Sequence, residues 1–314
     1  MGCNAVCVVN PLDQQSFYKG RRIMDLPTTV WEKRPLRAGL YLVATPIGAA
    51  RDITLRALDI LASADVLAAE DTRTLRHLME IHGVPLAGRS IVPCHDHNEG
   101  AAAGRLLRAV AEGKSVAYAS EAGTPLVSDP GFVMAREAVA QDLPVIAAPG
   151  ASAVLCALAV AGLPSDRFLF AGFAPPARAA RRSFVGDLRE VQATLVLYES
   201  PKRLAALLED MVEVLGAGRQ AAVCRELTKR FEEVRRGTLA ELAAEFAARE
   251  VKGEVVVLVD RAEPARADTA TWEEALDQAM VTLSVKDAAA MVAEAYGLPR
   301  REVYQVALSR GQGR

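Results

Sequence analysis

Short apolar runs alternate with stretches of helical periodicity along the first half of this chain. Leu40 to Ala44 is apolar and closes on Thr45-Pro46-Ile47-Gly48; Asp52 then opens a helical pattern in which Ile53, Ala57, Ile60 and Leu61 share one face. The unit recurs, with apolar runs at Asp65 to Ala69, Ser90 to Pro93, Ser115 to Ala119 and Pro144 to Ala148. Each run ends in a polar or small-residue cluster: Glu70-Asp71-Thr72-Arg73, His95-Asp96-His97-Asn98-Glu99, Ser120-Glu121-Ala122-Gly123-Thr124-Pro125 and Pro149-Gly150-Ala151-Ser152. Alternation of this kind predicts a largely parallel sheet covered by helices. Such sheets place ligands beyond the carboxyl ends of their strands, where these clusters lie.

A second series follows Gly162-Leu163-Pro164-Ser165-Asp166. Strands are expected near Phe168 to Ala171, Thr194 to Leu197, Ala221 to Arg225 and Glu254 to Val259, with a further one between Phe231 and Arg236. Thr238 and Glu241 have the spacing of a capping box for the helix that comes next. Short links between these strands imply a mixed sheet with antiparallel pairs. Arg261 to Thr271 reads as a linker, and Glu273 to Met280, Lys286 to Tyr296 and Arg301 to Ser309 as short helices, the last two joined by Gly297-Leu298-Pro299. The expected organisation is a flexible extension over residues 1–38, an α/β domain over 39–161, a second α/β domain over 162–262 with a cleft between the two, and a helix-turn-helix-like module over 272–314.

At 314 residues, 51% hydrophobic and 24% charged, the chain has the composition of an ordinary globular protein and is long enough for two cores. A formal net charge of −2 supplies no global basic field, so a nucleic-acid partner has to be met by local patches. Arg178, Arg181 and Arg182 form one, Lys229, Arg230, Arg235 and Arg236 a second, and Arg300 with Arg301 a third; taken singly, each reads rather as a solvated face balanced by nearby glutamates. The five cysteines, Cys3, Cys7, Cys94, Cys156 and Cys224, are odd in number and scattered, which argues against a disulfide framework and for a reducing cytoplasm. No run approaches the roughly 20 apolar residues that span a bilayer, and no basic-then-apolar leader is visible, so neither export nor a membrane partner is expected.

The clusters limit the chemistry. Thr45-Pro46-Ile47-Gly48 lacks the two further glycines of a dinucleotide fingerprint, which disfavours NAD; taken by itself it reads as a plain turn. In Ser120 to Thr124 the small side chains leave main-chain donors and acceptors exposed at a strand end, suited to an adenosine or amino-acid moiety, although small residues also mark ordinary turns. Glu70-Asp71-Thr72-Arg73 offers an acid to accept a proton and an arginine for phosphate, or else a helix cap with Asp71 as N-cap and Arg73 solvated. Cys94-His95-Asp96-His97 has adjacent and alternate ligands that do not readily close one tetrahedral site, so no metal is expected there.

Eight segments occur in one order: AAEDTR at Ala68 to Arg73, HDHNE at His95 to Glu99, SEAGTP at Ser120 to Pro125, Asp129-Pro130-Gly131, GLPSDRF at Gly162 to Phe168, YESPKRL at Tyr198 to Leu204, RELTKRFEE at Arg225 to Glu233, and KGE at Lys252 to Glu254. Together they resemble the bacterial small-subunit ribosomal RNA methyltransferase I family, within the tetrapyrrole-methylase superfamily, from about Leu40 to the end of the chain. The resemblance implies a two-domain class III S-adenosylmethionine methyltransferase fold with a small C-terminal helical module. It also implies a cytoplasmic homodimer that methylates the ribose 2′-hydroxyl of a decoding-centre cytidine of 16S rRNA in the small ribosomal subunit.

Carried over by motif, the S-adenosylmethionine site comprises Pro46, Gly48, Ser120, Glu121, Ala122, Gly123, Thr124, Ala151, Ser152, Tyr198, Leu227 and Gly253. The family pattern in the third loop is SDAGTP, so Glu121 stands here for an aspartate and adds one methylene to the acid. A 2′-hydroxyl is a poor nucleophile, and Asp71, Glu121, Glu199 and Glu226 are candidate bases among which the sequence does not choose. Arg73, Arg203, Lys229 and Lys252 are candidates for RNA phosphates or a developing alkoxide, with His95 and His97 on a loop facing the substrate. Two other classes remain open: a tetrapyrrole methylase of the same superfamily, which is disfavoured by the lean first loop and the terminal helices, and a non-catalytic nucleic-acid-binding sensor of S-adenosylmethionine.

Overall fold

A computed structural model describes residues 30–95, 99–262 and 269–311. Two compact units are present. The first extends to Cys156 and includes Thr228–Arg230; the second holds Ala157–Leu227 and the chain from Phe231 onward.

In the first unit, β1 (Gly39–Val43), β2 (Val66–Ala69), β3 (Ile91–Pro93), β4 (Ser115–Ala119) and β5 (Val145–Ala148) form one sheet in the order β3-β2-β4-β1-β5. Every pairing is parallel. The crossovers carry α1 (Leu55–Ser63), α2 (Thr72–Ile81), α3 (Glu99–Ala111) and α4 (Phe132–Ala140), and α5 (Ala153–Ala161) follows β5. Strand alternation divides the apolar residues into two cores. Tyr41, Val43, Leu67, Ala117 and Ala119 join Leu58, Leu61 and Leu75 on one face, while Leu40, Ala68, Val116 and Tyr118 join Leu106, Leu107 and Met134 on the other. With both faces covered, polar groups are left to the strand ends.

Asp52 lies in a short 3-10 turn, Ala50–Asp52, and α1 opens later, capped by Thr54, whose side chain accepts the Ala57 N–H. Residues 1–29 lie outside the described residues, but residues 30–38, expected as part of a flexible extension, are tied down. Trp31 and Leu36 pack on the first core, Trp31 Nε1 donates to Gly83 O at 3.1 Å, and Arg34 N donates to Ser63 Oγ at 2.9 Å.

The second unit's sheet has the order β6-β7-β10-β8-β9, with β6 (Phe168–Phe173), β7 (Thr194–Glu199), β8 (Gln220–Arg225), β9 (Glu233–Thr238) and β10 (Val255–Val259). Only β6 and β7 run parallel; β10 pairs antiparallel with both β7 and β8, and β8 with β9. The helices α6 (Arg178–Asp187), α7 (Leu204–Leu215) and α8 (Leu239–Ala247) share a core with Leu195, Leu197, Val223 and Val257. Thr238 caps α8 in a reciprocal capping box with Glu241, as its spacing predicts. A β-bulge interrupts β6 between Phe170 and Gly172, where Gly172 has φ +71°.

At the C-terminus, α9 (Thr269–Thr282), α10 (Val285–Ala295) and α11 (Arg300–Gly311) enclose a small core of Trp272, Leu276, Val292, Val303 and Ala307. Gly297, at φ +64°, makes the turn between the last two helices.

Candidate functional site

Because the first sheet is wholly parallel, the segments after its five strands emerge at one end. Main chain and small side chains cross-link three of them. Thr45 and Gly123 exchange backbone hydrogen bonds of 2.9 and 3.0 Å, Thr45 Oγ1 donates to Ser120 O, and Ser120 Oγ donates to Gly123 O at 2.7 Å. Thr124 Oγ1 donates to Ala151 O at 3.0 Å. Gly123 has φ +86°, and a Cβ at Gly150 would stand 2.8 Å from the Ala44 Cβ, so both glycines are required where they stand. Pro46, Thr124, Ala151 and Ser152 are half-buried, whereas Gly48, Glu121 and Ala122 are exposed.

Glu121 does not cap this loop. Its main-chain N–H donates to Glu70 Oε2 at 3.2 Å, Ser120 secures the turn, and its own side chain is exposed, with a Coulombic influence on Arg73. The extra methylene therefore lengthens a side chain on the solvent side. Just beyond, Leu126, Ser128 and Gly131 all have left-handed φ, and the buried Glu99 carboxylate accepts the Gly131 and Met134 N–H groups at 3.1 Å each. Sequence reasoning gives Glu70 and Glu99 no role beyond their motifs; their proximity to Glu121 and Gly131 is visible only once the strands pair.

Asp71 is the N-cap of α2, accepting from the N–H groups of Arg73 and Thr74. The Arg73 guanidinium, and after it the Arg73 N–H, hold its carboxyl down at about 2. That depression makes Asp71 a poor base. Arg73 is 89% exposed and ion-paired with Asp71 at 2.7 Å. His95 is half-buried, and His97 lies outside the described residues. Among the described residues no group of His, Cys, Asp or Glu has metal-binding geometry. Burial pushes the Cys94 and Cys224 thiols up to about 11 and 12, so neither is a ready nucleophile.

In the second unit three motifs meet because β10 runs against its neighbours. Tyr198-Glu199 and Arg225-Glu226 end β7 and β8, while Gly253-Glu254 precede β10; the register sets Val255 opposite both Glu199 and Arg225. Glu226, at φ +52°, exchanges hydrogen bonds with Glu254, its N–H to Glu254 O and its carboxylate from Glu254 N, both 3.0 Å. A Cβ on Gly253 would lie 2.3 Å from the Glu226 carboxyl carbon, and Gly253 has φ +89°. Arg225 donates to Glu233 Oε2 and to Lys252 O. Leu227 is buried, Lys229 half-buried, and Lys252 exposed with Glu250 at 3.6 Å. Tyr198 stacks edge-on to Phe170 and Phe173, with centroids 4.8 and 5.7 Å away. A cavity of about 560 Å³ beside Arg189, Arg219 and Asp260 lies at the other end of this sheet, where β8 begins and β10 ends.

The arginine patches of this unit are largely neutralised. Arg178 and Arg181 pair with the buried Asp210, and Arg182 pairs with Glu213. Arg235 pairs with Glu245, and Arg236 donates to the terminal carbonyls of α5 at Val160 and Ala161.

A model of the Tetrapyrrole (Corrin/Porphyrin) Methylases matches residues 39–243, and one of the RsmI C-terminal HTH domain matches 266–311. Among solved structures, the methyltransferase CobJ superposes with a TM-score of 0.55 at 20% identity, over 72% of this chain and 95% of its own. A diphthine synthase superposes at 0.53 and 18%, over 70% and 89%. At these identities the likeness establishes the tetrapyrrole-methylase fold, to which the C-terminal helices are added. Sequence relatives reach further. Proteins named ribosomal RNA small subunit methyltransferase I are 47% identical in Mesorhizobium japonicum, covering 87% of this chain and 92% of theirs. The figures are 43% in Pseudomonas aeruginosa, over 86% and 97%, and 37% in Halalkalibacterium halodurans, over 88% and 96%. With catalytic core and terminal module matched together, this chain belongs to the ribosomal RNA small subunit methyltransferase I family.

Proposed function

We propose that this protein transfers a methyl group from S-adenosylmethionine to the ribose 2′-hydroxyl of a decoding-centre cytidine in 16S rRNA, acting on the small ribosomal subunit as a cytoplasmic homodimer. Family membership makes it an S-adenosylmethionine-dependent methyltransferase of ribosomal RNA; the atom, the nucleotide, the dimer and the compartment are the proposal. Among the described residues, no helix is long and apolar enough to cross a membrane.

The observation that carries the reading is the cross-linked carboxyl end of the first sheet, where Thr45, Ser120, Gly123 and Ala151 bring main chain together with little side-chain bulk. Loops fixed in this way, with little side-chain bulk, fit an adenosyl amino acid; Gly123 holds a left-handed φ of +86° and Gly150 leaves no room for a side chain beside Ala44. Pro46, Gly48, Ser120 to Thr124, Ala151 and Ser152 would hold it, and the family resemblance names Tyr198, Leu227 and Gly253 as further candidates. When bound, S-adenosylmethionine supplies a methyl group already activated on a sulfonium.

What remains for this chain is alignment and proton removal, and orientation of well-placed partners is worth about 7 to 11 kcal/mol in general. Glu121 is the best-placed base of the four candidates. It lies in the loop just after the central strand of the first sheet and is exposed, while Asp71 is held by Arg73, Glu226 by Glu254 and Glu199 by Arg203. Arg73, His95, His97, Arg203, Lys229 and Lys252 would meet the RNA. The tetrapyrrole alternative has the superfamily model and fold-level likeness behind it, whereas the C-terminal module and the named relatives favour ribosomal RNA; nothing among the described residues favours the sensor.

The test is transfer from labelled S-adenosylmethionine to small subunits lacking ribose methylation, with subsequent mapping of alkali-resistant linkages. One protected decoding-centre cytidine is the expected result. Label on a base, or on a nucleotide elsewhere in the rRNA, would sink the assignment.

A further inference from the structure

Strand geometry separates Glu199 from its neighbour in the motif. Along β7, Leu195 and Leu197 enter the core shared with α6, α7 and α8, whereas Tyr198 faces the Phe170 and Phe173 rings. Side chains alternate along a strand, so Glu199 points to the helix-covered face and away from the Tyr198 face. Its side chain is fully buried.

There Oε1 collects the donors. Ser200 N–H donates at 2.6 Å, Arg203 Nε at 2.7 Å, and Arg203 Nη2 lies at 2.5 Å. Arg203 Nη2 also donates to Ala174 O at 3.0 Å, past the end of β6. Two of the three guanidinium nitrogens are thus engaged, and Nη1 has no partner among the described residues, while the side chain remains 29% exposed. Glu199 Oε2, by contrast, is buried without a hydrogen-bond partner among the described residues. A buried carboxylate with one oxygen unserved is a poor device for stability, because its desolvation is only partly offset. It is a good device for fixing a guanidinium.

Resting on the proposed action on RNA, we propose that Glu199 is a positioning residue rather than the base. It clamps Arg203 so that the Nη1 edge is presented, pre-oriented, to a phosphodiester of the RNA substrate. A fork held on one edge loses little rotamer entropy when the other edge takes an anion. The arrangement needs Glu199 ionised and immobile, and no proton passes through it.

The experiment compares wild type with Glu199→Gln, Arg203→Lys, Arg203→Met and the Glu199→Gln/Arg203→Met double variant, using the full-length protein and small subunits as substrate. Initial rates are taken across a salt series and from pH 5 to 9, with S-adenosylmethionine affinity by calorimetry. Wild-type transfer in the same assay tests the underlying function first, so a failure of that function is distinguishable from a failure of the clamp. Arg203→Met is expected to raise KM for subunits about tenfold with kcat within about threefold, and to reduce the slope of log KM against log salt by about 0.7 to 0.9, the signature of one lost phosphate. Glu199→Gln should move KM in the same direction, keep the shape of the pH profile, and add nothing in the Arg203→Met background. Arg203→Lys keeps the charge without the fork and should fall between wild type and Arg203→Met.

Three results overturn the proposal. A fall in kcat of more than about 100-fold with loss of the basic limb in Glu199→Gln would make Glu199 the base. Weakened S-adenosylmethionine binding in Arg203→Met would make the anion the cofactor's carboxylate. An unchanged salt slope would mean that Arg203 touches no phosphate.

Discussion

Glu99 in the first unit and Asp210 in the second are both buried carboxylates, and they are satisfied in opposite ways. Glu99 takes two main-chain N–H groups at the start of α4; Asp210 takes the guanidinium groups of Arg178 and Arg181, the latter itself only 7% exposed. The contrast extends to the candidate site. The carboxyl end of the first sheet is bound together by backbone and hydroxyl groups, which suits a ligand read through main-chain contacts. The corresponding end of the second sheet is held by charged side chains, Arg203 on Glu199 and Arg225 on Glu233. Backbone cross-links survive most substitutions, whereas a buried ion pair fails as soon as one member is lost.

The largest expected effect is on Asp210. Asp210→Ala strands the Arg181 guanidinium in a buried place, at an expected cost of about 3–5 kcal/mol. Denaturant unfolding would show it as a lowered midpoint, and a loss below about 1 kcal/mol, the range of an exposed pair, would mean that the second unit does not depend on its buried charges.

A smaller effect belongs to Gly253→Ala, which forces a side chain onto a left-handed backbone and into the Glu226 carboxylate. A cost of about 1–3 kcal/mol is expected, together with weaker S-adenosylmethionine binding. Combining it with Glu226→Ala removes the overlap but not the backbone strain, so part of the stability should return. Full recovery would assign the whole cost to the contact.

The smallest is a pH effect in the first unit. Because the Asp71 carboxyl is depressed from its usual value near 3.8 to about 2 in the folded state, the stability it contributes is complete above about pH 4 and is lost as pH falls from there toward about 2. Asp71→Asn should flatten the acid limb of an unfolding curve over that window and leave the curve unaltered in shape near neutral pH. A wild-type limb that is unchanged by the substitution would show that the cap carries no acid sensitivity.

How much of this is legible in the sequence depends on how local the cause is. Strand runs such as Ser115 to Ala119 and the Thr238–Glu241 box depend on neighbours within a few residues, and both form as their patterns predict. Asp71 can be read two ways, because a helix cap and an exposed acid use the same residue; only its hydrogen bonds to Arg73 and Thr74 give it the cap. The arginines at 178, 181 and 182 look like a patch because their partners, Asp210 and Glu213, come about thirty residues later on another helix. KGE joins the site although it precedes its strand, since nothing in Lys252 to Glu254 announces that β10 runs antiparallel. The direction of Glu199 is likewise hidden, because it depends on which face of β7 the helices cover.

The bulge in β6 has a consequence of parity. Phe170 and Phe173 are three residues apart, an odd separation that would put them on opposite faces of a regular strand, yet both contact the Tyr198 ring. The extra residue between Phe170 and Gly172 turns that odd count even. Moving the bulge out of that interval at constant length would restore the odd count, rotate Phe173 to the helix side and leave Tyr198 with one aromatic neighbour instead of two. The aromatic seat beneath Tyr198 is therefore encoded by the place of one extra residue in this edge strand as much as by the chemistry of its rings.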